Sequence, residues 1–164
     1  MNRQAIYAGT FDPITFGHLD VVERAAKIFP RLILAVSSVS TKAALFGLKE
    51  RMAIAREAVK VFPNVEVESF DGLLVEYARQ RGVQVLVRGL RAFSDFEFEF
   101  QMALTNRKLA PDIETIFLMP NENFSYVSSS IVRQIAELGG RVDEFVPVAS
   151  CRALGRKIRR RAAR

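Results

Sequence analysis

The chain has 164 residues, 49% hydrophobic and 26% charged, with one cysteine and no apolar run near the ~20 residues of a membrane helix, which predicts one soluble domain without an internal disulfide or a multi-cysteine metal site. The net charge of +6 sits in the tail: from Cys151 onward there are seven cations and no acid, leaving 17 of the 24 cations against all 18 acids, a net of −1, for the rest. The body is therefore not basic, which argues against a general nucleic-acid affinity of the fold, and the apolar run Ala5–Ala8 is too short for a secretory leader, so a cytoplasmic protein is expected.

Strand-like and helix-like segments alternate along the chain. Gln4–Ala8 reads as a strand, followed by Gly9 and a loop through Pro13. Leu19, Val22, Ala26 and Phe29 recur at helical spacing, which predicts a helix over Thr15–Phe29 with Thr15 as N-cap. Arg31–Ser37 is a strand apolar on both faces, and Leu48, Met52, Ala55, Val59 and Phe62 mark an amphipathic helix. Val65–Phe70 alternates as a strand does. Asp71-Gly72 turns into a short helix, Leu73–Arg81, with Gly82 at its C′ position. Val83–Val87 and Glu114–Met119 are further strands, Ile131, Ile135 and Leu138 define a helix stopped by Gly139-Gly140, and Leu154 and Ile158 lie on a last, basic helix. Apolar strands alternating with helices predict an α/β, Rossmann-like, doubly wound parallel sheet covered on both faces, with residues 1–150 as the domain and 151–164 as a C-terminal helix. The run Phe96-Glu97-Phe98-Glu99-Phe100 is ambiguous: it alternates with period two, yet Phe96, Phe100 and Leu104 also share a helical face.

Ligands of an open parallel sheet bind outside the carboxyl ends of its strands, near helix N-termini. After the first strand comes Gly9-Thr10-Phe11-Asp12-Pro13-Ile14-Thr15-Phe16-Gly17-His18, which holds the only histidine of the chain. Gly9 suits a tight turn, and Gly17 suits the approach of an anion to the first helical turn. Arg88 directly ends the strand Val83–Val87 and so faces the same edge, where a guanidinium fork suits phosphate oxygens. Ser128-Ser129-Ser130 opens another helix with hydroxyls and amides at that edge.

The segments Gly9–Pro13 and Thr15–His18 resemble the Thr-x-Gly-His signature of the nucleotidyltransferase superfamily, in the form found in the bacterial phosphopantetheine adenylyltransferase family. Arg88–Arg91 with Asp95–Glu99, Asn106-Arg107 with the strand ending in Met119-Pro120, and Ser125–Ser130 match the same family in the same order. The resemblance runs from about Ala5 to Phe145. It implies adenylyl transfer from ATP to 4′-phosphopantetheine, giving dephospho-coenzyme A and pyrophosphate, in coenzyme A biosynthesis. It implies that His18 stabilises the transition state, that Thr10, Lys42, Leu74 and Arg88 bind the acceptor, and that Thr10, Phe11, His18, Gly89, Leu90, Arg91, Glu99, Phe124, Ser125, Tyr126, Val127, Ser128, Ser129 and Ser130 bind ATP. It also implies Mg²⁺ held mainly by substrate phosphates, with no dedicated metal ligands, a homohexamer, inhibition by coenzyme A, and a helix through the ambiguous Phe-Glu run.

The chemistry fits these residue types. Both reactants are polyanions, so cations and amide donors must overcome their repulsion, and the rest is alignment. The attacking phosphate oxygen is already ionised, so no general base is needed. Phe16 stands where the family often has a small polar residue, Phe124 where Trp or Tyr is common, and Ala43-Ala44 lacks cations sometimes seen beside Lys42. The alternatives are a related nucleotidyltransferase using nicotinamide mononucleotide, against which Thr15 in place of a first histidine argues; a nucleic-acid-binding module built on Arg156–Arg161; and a pure nucleotide sensor.

Overall fold

Five strands, β1 (Gln4–Gly9), β2 (Arg31–Ser37), β3 (Val65–Phe70), β4 (Val85–Gly89) and β5 (Glu114–Leu118), form one parallel sheet in the order β3-β2-β1-β4-β5. The computed structural model describes residues 4–39, 44–91 and 93–162. The helices are α1 (Phe16–Ile28), α2 (Leu48–Val59), α3 (Leu74–Gln80), α4 (Phe93–Leu109), α5 (Ser129–Glu137) and α6 (Val148–Ala162). Because side chains alternate along a strand, Ala5 and Tyr7 of β1 pack on one face with α1, α2, α5 and α6, whereas Ile6 and Ala8 pack on the other with α3 and the segment Ala110–Ile113. Burial on both faces explains the uninterrupted apolar character of β1 and β2. The doubly wound expectation is met.

From β1 the chain steps outward to β2 and β3, then crosses back to place β4 on the other side of β1. The carboxyl ends of β1 and β4 therefore face a crevice where the winding reverses, the place at which open α/β sheets bind ligands. Tyr7 pairs with Val87 in this register, so Gly9 and Gly89 lie at adjacent strand ends.

Several boundaries differ from the sequence reading. The fourth strand was expected over residues 83–87 and begins two residues later, because the Val83 N–H donates to Ala78 O (2.9 Å) in the turn closing α3. Gly82 follows the C-cap Arg81 with φ +65°, a left-handed conformation that a side chain would strain. The Phe-Glu run is helical within α4, and a 3₁₀ turn at Glu122–Phe124 had no sequence counterpart. The last helix starts at Val148, so residue 151 lies inside it rather than at its start.

Candidate active site

A cavity of about 480 Å³ opens at the crevice, lined by the β1 end and its loop, the first turn of α1, the β4 end, the start of α4 and the N-terminus of α5. Of the residues expected at a site, Thr10, Phe11, His18, Arg88, Gly89, Arg91, Glu99, Ser128, Ser129 and Ser130 line it. Leu74 does not; it starts α3 and packs into the core on the other face of the sheet. Nor do Leu90, Phe124, Ser125, Tyr126 and Val127. The Val127 side chain is core, while its carbonyl accepts from Arg91 Nη1 (2.8 Å). Lys42 lies outside the described residues.

His18 is fixed by the start of its own helix. The Thr15 hydroxyl accepts from His18 N–H (3.3 Å), and Thr15 N–H donates to His18 Nδ1 (3.0 Å), so the imidazole fills the place that Glu or Gln usually takes in a capping box. Since Nδ1 is an acceptor, the proton of the neutral ring is on Nε2. Burial, with Arg91 and Arg88 nearby, lowers the His18 pKa to about 3, so the ring is neutral at physiological pH. It can donate one hydrogen bond. It is not a reservoir of positive charge.

The loop before it is strained and packed. Phe11 has φ +49°, unusual for a residue with a side chain, and its buried ring stands edge-on to Tyr7 (5.5 Å) and to His18 (5.1 Å). The reason for glycine at position 9 differs from the turn expected: a Cβ there would lie 2.9 Å from the Phe11 ring. Phe16 and Phe124, the two departures from the family pattern, pack against each other at 5.8 Å.

Each described arginine of the cavity has a carboxylate partner. Arg88 pairs with both oxygens of Glu99 (2.8 and 2.5 Å) and donates to Ala8 O; burial opposes its charge, yet Glu99 outweighs that and raises its pKa. Arg91 pairs with Asp95 (3.0 Å) and Arg133 with Asp12 (3.1 Å). With His18 neutral, the formal charges of these lining residues cancel. The groups of the cavity suited to anions are the amide-rich starts of α1 and α5 and the guanidinium groups. The serine triplet is partly committed: Ser128 caps α5 by accepting from Ile131 N–H (3.1 Å), and Ser129 Oγ donates to Pro13 O (2.8 Å).

Sequence reasoning gave no role to Tyr7, Asp12, Asp95 or Arg133, all of which line the cavity. Arg133 was findable, because it follows Ser129 by one helical turn and so shares its face.

A loop strained at Phe11 that runs into a helix capped by Thr15, with His18 in its first turn, at the switch point of a parallel sheet, defines an α/β domain with its cavity at the ligand edge. The cytidylyltransferase-like family model matches residues 6–135. A phosphopantetheine adenylyltransferase of Methylococcus capsulatus is 59% identical over 157 residues, covering 96% of this chain and 97% of the relative. One from Anaeromyxobacter sp. is 50% identical over 160 residues, with 98% of each chain covered. A solved Vibrio parahaemolyticus protein, assigned as a nicotinate-nucleotide adenylyltransferase, superimposes with a TM-score of 0.73 at 17% identity over 98% of this chain and 96% of that one, which shows a shared fold. The chain belongs to the phosphopantetheine adenylyltransferase family, within the cytidylyltransferase-like nucleotidyltransferases.

Proposed function

We propose that this chain transfers the adenylyl group of ATP to 4′-phosphopantetheine, reversibly, in coenzyme A biosynthesis. The observation that carries the reading is the His18 ring held by the Thr15 N–H on its Nδ1, which leaves Nε2 as its donor, in a cavity that Arg88 and Arg91 also line. An ionised phosphate oxygen of the acceptor attacks the α-phosphorus; the new P–O bond forms as the α–β bridging bond breaks, and its electron pair leaves with pyrophosphate. No proton has to be removed. A neutral N–H donor then contributes by holding a hydrogen bond to the α-phosphoryl oxygens as their charge redistributes, without neutralising the attacking phosphate. Thr10, beside it, meets the join between the two reactants, and Arg88 and Arg91 trade carboxylates for phosphates.

The carboxylates of the cavity, Asp12, Asp95 and Glu99, are all engaged by arginines, and among the described residues no cluster of metal-ligating side chains forms. That donor set fits a Mg²⁺ carried in by the nucleotide phosphates, where it would neutralise charge on the leaving pyrophosphate. Among the described residues no helix is long and apolar enough to cross a membrane; a cytoplasmic site of action is part of the same proposal. Inhibition by coenzyme A belongs to the same reading.

The test is incubation with ATP, Mg²⁺ and 4′-phosphopantetheine, with pyrophosphate release and the mass of dephospho-coenzyme A as readouts. A parallel arm offers nicotinamide mononucleotide. Turnover with the first acceptor and little with the second is expected; the reverse pattern would overturn the assignment.

A further inference from the structure

Arg51 is a cation inside the apolar stripe of α2, one turn from Leu48 and from Ala55, and it is 2% exposed. Removing a charge from water is costly unless its donors are satisfied, and here they serve three separate stretches of backbone. Nη1 donates to Thr10 O (2.7 Å) and to Ser37 O (2.9 Å), and Nε donates to Phe46 O (3.2 Å). These carbonyls belong to the loop after β1, the last residue of β2, and the turn before α2. The acceptor at Thr10 matters most. It belongs to the peptide unit that joins Thr10 to Phe11, the residue held at φ +49°. A strained backbone persists only where its surroundings over-determine it, and this peptide plane is gripped from outside the cavity by the guanidinium. Asp12 extends the grip by accepting the N–H groups of Leu45 and Phe46, both at 2.9 Å. The sequence runs Thr10, Phe11, Asp12, so three consecutive residues are each tied down by a different contact, the middle one through its ring against His18.

We propose that Arg51 is a positioning residue for adenylyl transfer: through the Thr10 carbonyl it fixes the Thr10–Phe11 peptide, and with it the Thr10 side chain and the ring that supports His18. Arginine is required because one planar fork reaches three carbonyls; a lysine ammonium on a flexible stem does not reproduce that arrangement. The inference rests on the function proposed above. The Arg51 hydrogen bonds go to the loop after β1, the end of β2 and the turn before α2, so nucleotide binding through Gly89, Arg91 and the α5 start is expected to survive its loss.

The test is a double-mutant cycle with Arg51→Lys and Thr10→Val. Arg51→Lys should lower kcat by roughly tenfold or more, leave the dissociation constant of ATP within about twofold, and cost less in the Thr10→Val background, because that change already removes the hydroxyl that Arg51 positions through the Thr10 carbonyl. Losses that simply multiply, or kcat and ATP affinity falling together, would overturn the proposal. Arg51→Gln, which keeps a donor without the charge, is carried through the same cycle. Should neither variant fold, the guanidinium is a requirement of the fold rather than of the pose, and the proposal fails. An arm independent of turnover uses the lone histidine: the Phe11 ring edge is part of its environment, so its ring-proton resonance should shift in Arg51→Lys. An unmoved resonance would sink the inference even in a chain that proved inactive on 4′-phosphopantetheine, and an inactive wild type with a shifted resonance would sink only the reaction.

Discussion

The imidazole of His18 is held so that its protonation state follows from bonds made by the backbone of its own helix. Nδ1 accepts from Thr15 N–H, and burial beside Arg91 and Arg88 takes the pKa from 6.5 to about 3. Since the folded value is below the unfolded one, the unfolded chain takes up the proton first. The contribution of His18 to stability is therefore fully present above the unfolded pKa near 6.5 and is lost as pH falls from there toward about 3. As this is the only histidine, its imidazole gives one set of ring resonances, which should not titrate between about pH 5 and 8, where an unperturbed ring would. Nitrogen shifts should place the proton on Nε2. A midpoint near the ordinary value would remove the neutral-donor role. On the same grounds, denaturation of a His18→Gln variant should lose less stability than wild type between pH 7 and 5.

At the scale of elements, legibility tracked how an element satisfies its side chains. β2 and β3 have the bounds expected from their patterns, because β2 is buried along its interior and β3, at the sheet edge, exposes Glu66 and Ser69 between half-buried neighbours. α4 defeated periodicity because it is built inside out. Glu99 points inward to Arg88, whereas Phe96, Phe98, Phe100, Met102 and Leu104 are 41–61% exposed, and Phe96 stacks on Phe100 at 5.7 Å, one turn apart. With the acid inward and the phenylalanines outward, no apolar stripe marks the core-facing side. Arg51 was missed for the mirror reason: a cation in an apolar stripe is invisible to a pattern that counts only hydrophobic positions. The outward face of α4 has a consequence of its own. Exposed apolar surface such as the stacked Phe96 and Phe100 pair is of the kind that marks an interaction surface, and a homohexamer is the assembly that the family resemblance implies. Sedimentation should give six times the chain mass, and Met102→Glu with Leu104→Glu should reduce it. A wild-type chain that sediments as a monomer would rule the assembly out.

For the whole molecule, the distribution of charge decides what the high net charge means. The described cavity lining is formally balanced, arginine by carboxylate, so the excess of cations is elsewhere, on α6. The inner part of α6 is structural: Leu154 is buried, Ile158 packs on the core, and Lys157 pairs with Glu50 (2.7 Å) while lying 5.5 Å over the Phe46 ring. Beyond it, Arg161 reaches Glu137 at 3.4 Å in an exposed pair, and such pairs contribute only about 0–1 kcal/mol. Removing Arg159–Arg164 should therefore leave Lys157 and the core contacts in place, and should change kcat/KM by less than about twofold, since none of its described arginines, Arg159, Arg160 and Arg161, lines the cavity. Any affinity of the intact chain for nucleic acid should come from this stretch, weaken steeply with salt, and vanish with the truncation, because it would rest on phosphate contacts alone. Loss of adenylyl transfer in a truncated chain that still unfolds cooperatively would mean that the basic end takes part in the reaction, and the separation between a neutral catalytic crevice and a cationic tail would have to be abandoned.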